Sequence, residues 1–147
     1  MKRIMIGMII VSACLAGVEC RYNGSSYSVP QIVEMVIQGK AIPICPEILA
    51  GLPTPRPPVE QFEGKIISLN GDDQTAPYRA GAKMGLEIAV VSGCQKAILK
   101  SKSPTCGAGW IYDGTFSANL ISGDGIFAKM LKDKGIEVCT EEIYCKG

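Results

Sequence analysis

Short apolar runs, separated by polar segments rich in glycine, set the rhythm of this chain. Ile9 to Ser12 reads as a buried first strand, with an earlier start near Met5 allowed. Ala41 to Ile44, Lys96 to Lys100 and Ile136 to Cys139 read as three more, and Ile66 to Leu69 as a minor strand or hairpin arm. Helical patterns fill the gaps. Ser28 caps a helix that opens at Val29-Pro30 and stops at Gly39, with Ile32, Val33, Val36 and Ile37 as its apolar face. Asp72 and Asp73 cap a long helix from Thr75 to Val91; Ala80, Met84, Ile88 and Val91 form its buried face, and Gly81 and Gly85 permit close approach to the sheet. Gly123-Asp124-Gly125 leads into a helix from Ile126 to Lys134, buried through Phe127, Met130 and Leu131 and ended by Gly135.

Strand and helix alternate throughout. That order predicts an α/β fold: a single Rossmann-like three-layer domain over residues 1–147, joined by right-handed crossovers around a mostly parallel sheet of about four main strands. With 147 residues the chain can bury one full core. Four prolines between Pro53 and Pro58 predict an extended polyproline-like segment, serving either a site or a rigid linker.

Charge narrows the function. Fifteen basic residues against fourteen acidic ones provide no basic field for nucleic acid or a membrane surface, which leaves a small molecule or a protein as the partner. Histidine is absent, so acid, base and ligand roles fall to Asp, Glu, Lys, Ser, Tyr or Cys. Seven cysteines, an odd number in a chain of this size, favour thiols kept reduced or metal-bound, as in the cytoplasm. Met1-Lys2-Arg3 and the apolar run ending at Cys14 also resemble a short lipoprotein signal, in which Cys14 would be the acylated N-terminus. Against it, only thirteen residues precede Cys14 and Gly7 interrupts the run; Met8 is an equally natural start.

Three cysteines fall at strand ends: Cys14 just after strand one, Cys45 directly after strand two, and Cys106 in the loop after strand three, Lys100-Ser101-Lys102-Ser103-Pro104-Thr105-Cys106-Gly107. In a parallel sheet those ends share one edge, where ligands bind. Three convergent thiolates suit a soft metal centre. An iron–sulfur cluster with one iron left open fits them; so does zinc, if Cys20, Cys139, Glu47 or Glu141 supplies a fourth ligand. Cys94, Cys139 and Cys145 read as buried or incidental, and Cys20 stays open. Glu47 is brought to the same edge as a candidate general base. Ser103 reads equally as a proton relay or a turn hydroxyl. Lys100, Lys102 and Arg21 are candidates to balance thiolate charge.

Val11-Ser12-Ala13-Cys14-Leu15-Ala16-Gly17 with Cys20-Arg21-Tyr22, Cys45-Pro46-Glu47 with Gly51-Leu52-Pro53-Pro55-Arg56, Lys102 to Gly107, and Ile111 to Phe116 together resemble the bacterial 2-thiouracil desulfidase family, over nearly the whole chain from Met8 to Glu142. The resemblance implies a 4Fe–4S cluster held by Cys14, Cys45 and Cys106, with Glu47 and Ser103 as the catalytic pair. It also implies a thiolated small-molecule substrate and release of hydrogen sulfide without net redox change. Asn23 departs from the aspartate common after Cys-Arg-Tyr, and residues before Met8 are extra. A zinc- or thiol-based binding module and an exported lipoprotein stand as the alternatives, and a homodimer is left open.

Overall fold

The computed structural model describes residues 7–144. The early strand start near Met5, the residues ahead of Gly7 and Cys145 lie outside them. Four strands, β1 (Ile9–Ser12), β2 (Ala41–Ile44), β5 (Lys96–Leu99) and β8 (Glu137–Thr140), form one sheet in the order β2-β1-β5-β8, with every pairing parallel. Alternate side chains feed the two faces. Ile10, Ala97 and Leu99 meet α3 (Thr75–Val91) and α4 (Ile126–Asp133) on one side, through Ala82, Ala89, Phe127, Ala128 and Leu131. Val11 and Ile98 meet α1 (Pro30–Ile37) on the other, through Ile32. The three-layer α/β expectation holds. From β1 the chain goes first to β2 on one side and later to β5 on the other, so β1 is the point where the winding reverses.

Several local expectations are corrected. Val29, not Ser28, is the N-cap residue of α1 and makes no side-chain cap bond; Ile37 is 72% exposed, while Met35 packs into the core instead. The buried face of α3 is Tyr78, Gly81, Ala82, Gly85 and Ala89; Ala80 and Met84 face outward and Val91 is 87% exposed. Small residues occupy that face because other backbone comes very close. A Cβ at Gly81 would lie 1.9 Å from the Pro46 carbonyl oxygen of α2 (Pro46–Leu49), and one at Gly85 would lie 2.9 Å from the Phe127 ring. The approach is thus to α2 and to α4's Phe127 as well as to β2. Asp73 does serve α3, accepting from the Thr75 amide at 2.9 Å; Gln74 is the N-cap residue.

The hairpin arm expected at Ile66 to Leu69 is present as one strand of a hairpin, while its partner strand, a second hairpin and two short helices were absent from the expected outline. β3 (Val59–Phe62) pairs antiparallel with β4 (Lys65–Ser68) across Glu63-Gly64, both at positive φ as a two-residue hairpin turn requires. β6 (Trp110–Tyr112) pairs with β7 (Leu120–Ser122), and α5 (Glu141–Tyr144) follows β8. The proline stretch is an irregular loop with bends at 54 and 55 and a cis Thr54–Pro55 bond, in place of a continuous polyproline run.

Gly81→Ala tests the α2–α3 contact. Alanine gains about 1 kcal/mol in an open helix, but overpacking costs about 1–3 kcal/mol, and the contacted atom is backbone that cannot rotate away. The variant is therefore expected to unfold at lower denaturant; an unchanged or raised midpoint would contradict the packing.

Candidate functional site

The carboxyl ends of β1, β2 and β5 open into a cavity of about 550 Å³. Ser12, Cys14, Cys20, Cys45, Glu47, Arg56, Lys100, Ser103 and Cys106 all line it. Cys14 sits in the single 3-10 turn Ala13–Ala16 that continues β1, closed by Gly17 at φ 95°. Cys45 follows β2 immediately, and Pro46, ideal at a first helical position, starts the turn that presents Glu47.

The loop after β5 is held from three directions. The Lys100 amide donates to Ser12 Oγ at 2.9 Å, locking the loop to the end of β1. Buried Glu141 accepts from the Ser101 amide at 2.6 Å and its hydroxyl at 2.7 Å, with Lys100 Nζ 3.5 Å away. Ser103 Oγ accepts from the amides of Thr105 (3.1 Å) and Cys106 (3.0 Å), so it is a turn former. Its own hydrogen is not consumed by those bonds. The carbonyls of Pro104, Thr105 and Gly107 then accept amides from the first turn of α4, which seats Cys106 over that helix.

β3 covers the edge. Gln61 Nε2 donates to the carbonyls of Pro104 (2.8 Å) and Asp124 (2.9 Å), while buried Glu60 accepts from the Gly114 and Phe116 amides at 2.9 and 3.1 Å. Phe116 and Ala118, both at left-handed φ, thereby face the cavity. Asp113 holds its own turn through the Thr115 amide.

Burial governs the thiols. It pushes Cys106 well above the ordinary range, with Glu47, Cys14 and Cys45 adding to the rise and the Ser12 hydroxyl opposing it. Cys14 is pushed up to about 11 by burial and then by Cys45; Lys100 and Arg21 pull the other way. Cys45 and Cys20 hydrogen-bond each other, which raises Cys45 and lowers Cys20; burial and Glu47 raise Cys45 further. Burial also raises the Glu47 carboxyl, against the pull of Arg56. Of the expected charge-balancing cations, Lys100 and Arg21 act on Cys14 and both lie over the Tyr27 ring, whereas Lys102 pairs with Glu142 at 3.9 Å on the surface.

All five proposed site residues meet in this cavity, although among the described residues no three His, Cys, Asp or Glu side chains are already placed to hold a single metal ion. Cys20 joins them as a fourth thiol. Cys94 is core at the far end of the sheet and Cys139 packs in the second core. Glu60 went unrecognised, and Arg56 and Glu141 were placed only in a motif and as a candidate metal ligand rather than as buried clamps, because their local sequence does not show what they bond to. The residues just ahead of Cys14 form β1, which is paired on both sides. Among the described residues no helix is long and apolar enough to cross a membrane.

The profile of the family described as 2-thiouracil desulfurase matches residues 9–143. The uncharacterized protein YbbK of Bacillus subtilis (strain 168) is 43% identical over 144 residues, covering 91% of this chain and 95% of that protein. The solved structure of a 4Fe-4S-dependent thiouracil desulfidase, TudS, superposes with a TM-score of 0.90 at 37% identity, over 95% of this chain and 94% of that one. This chain belongs to the 2-thiouracil desulfurase family of C–S bond-cleaving enzymes.

Proposed function

We propose that this chain removes sulfur from a thiolated pyrimidine such as 2-thiouracil and releases it as hydrogen sulfide, using a 4Fe–4S cluster held by Cys14, Cys45 and Cys106. The observation that carries this reading is the meeting of three cysteines from three strand ends, Cys14 and Cys106 buried and Cys45 partly so, in one cavity with Glu47 and Ser103. The cofactor and substrate named for TudS support it.

The donor set fits such a group. Thiols that burial keeps protonated become ligands when a metal displaces their protons. A single zinc ion, with bonds of about 2.3 Å, would need sulfurs close together around one point. The side chains offer no such trio among the described residues, whereas a cluster takes each thiolate on a separate iron. The 4Fe-4S dependence named for TudS favours the cluster over the zinc alternative. When bound, a cluster with three protein ligands supplies one open iron as a Lewis acid toward a thiocarbonyl sulfur.

The chain's own groups handle the protons. Glu47 Oε1, 4.0 Å from Cys45 Sγ, lies on the cavity side to take a proton from water adding at the thiocarbonyl carbon. Ser103, its oxygen fixed by two amides, directs its hydroxyl hydrogen to the heterocycle. Water contributes the oxygen, and sulfur leaves with two protons. No electrons are gained or lost.

Two sets of variants check these assignments. After anaerobic reconstitution, Cys14→Ala, Cys45→Ala and Cys106→Ala are expected to hold only background iron and acid-labile sulfide, while Cys20→Ala holds the wild-type amount; loss of iron only in Cys20→Ala would overturn the ligand set. Glu47→Gln is expected to keep the iron and lose about 10²–10⁴-fold in turnover. Ser103→Ala should keep iron with a smaller loss, and full activity in either variant would remove that residue from the mechanism.

A further inference from the structure

We infer that Arg56 is the positioning residue for Glu47, an assignment that rests on the desulfidase reading. Arg56 is 9% exposed and lies in the proline loop that follows β2 and α2. Its amide donates to the Tyr22 carbonyl at 2.8 Å, so backbone bonding fixes where the side chain starts. The guanidinium then spans three segments. Nη1 donates to Thr54 Oγ1 at 3.2 Å and to the Pro53 carbonyl at 3.4 Å; Nη2 donates to the Cys20 carbonyl at 2.8 Å and reaches Glu47 Oε2 at 3.4 Å. Nε is buried with no hydrogen-bond partner, and the Tyr78 hydroxyl lies close enough for the guanidinium to act on it.

Two consequences follow for the carboxylate. An arginine keeps its proton at any working pH, so the buried positive charge is permanent, and Glu47 is its ion-pair partner among the described residues. The pair also divides the two oxygens. Oε2 is directed to Arg56, while Oε1 is left on the side of Cys45 Sγ, 4.0 Å away, where substrate and water would enter. Arg56 thus acts through the base: it sets which oxygen of Glu47 meets the proton. The same group ties the Cys20 loop to α2, which keeps that orientation in register with the thiols.

A lysine would preserve charge, but its three donors sit on one nitrogen and could not span the Cys20 carbonyl, Thr54 and Glu47 as the guanidinium fork does. Arg56→Met is therefore expected to retain wild-type iron and a KM within about threefold, while kcat per cluster falls about 10²-fold, the scale of a misplaced catalytic group. Arg56→Lys should recover part of kcat. The decisive arm is the double variant with Glu47→Gln, assayed by single-turnover sulfide release: Arg56→Met should add no further loss in that background. Multiplying losses would show that Arg56 acts independently of Glu47 and would overturn the inference, as would wild-type kcat in Arg56→Met. If Arg56→Met does not load iron, Arg56→Lys carries the test, with wild-type kcat again the contradicting result. Failure of the desulfidase reading is distinguishable, since the wild-type protein would then release no sulfide at all.

Discussion

The parallel pairing of β1 with both β2 and β5 is the constraint on which everything else depends. Because the strands run the same way, whatever follows each one emerges at a common edge. Cys14, Cys45 and the loop carrying Cys106 need no further device to come together; sheet direction does it. The register is equally strict, since a slip of one residue would exchange Val11 and Ile98 with Ile10, Ala97 and Leu99 between the two cores. Packing and site geometry are therefore enforced by the same hydrogen-bond ladder.

Precision at that edge comes from buried polar clamps. Ser12 and Glu141 hold the start of the loop after β5, Ser103 shapes its turn, Gln61 fixes Pro104, and Arg56 joins Cys20 to Glu47. Apart from the local Ser103 turn, these clamps tie together segments that are well separated in the chain. The carboxylates of Glu60 and Glu141 are buried and receive two hydrogen bonds each, the condition under which such groups are tolerated inside a protein.

The fold class and the main strands were legible because four-residue apolar runs bounded by glycine and helix caps admit few other readings. The cysteines at strand ends were legible for the same reason: their positions relative to the strands can be counted. Helix faces were less so. α3 packs through Gly81, Ala82, Gly85 and Ala89, so hydrophobic size points the wrong way there; Met84 and Val91 look like core and are exposed. The β6–β7 hairpin has three residues per strand, too few to display a period of two. The clamp roles of Arg56 in a proline run and Glu141 after a strand were not readable locally, since the partners that bury them, the Cys20 carbonyl and the Ser101 loop, are 36 and 40 residues away. For Ser103 the turn reading is met directly, since its oxygen accepts from the Thr105 and Cys106 amides.

Hydrolytic removal of sulfur without electron transfer is the central claim. Anaerobically reconstituted protein, mixed with 2-thiouracil in the absence of any reductant, should release sulfide and uracil in equal amounts over many turnovers. No sulfide from the iron-loaded protein, or sulfide formed only when a reductant is supplied, would contradict it.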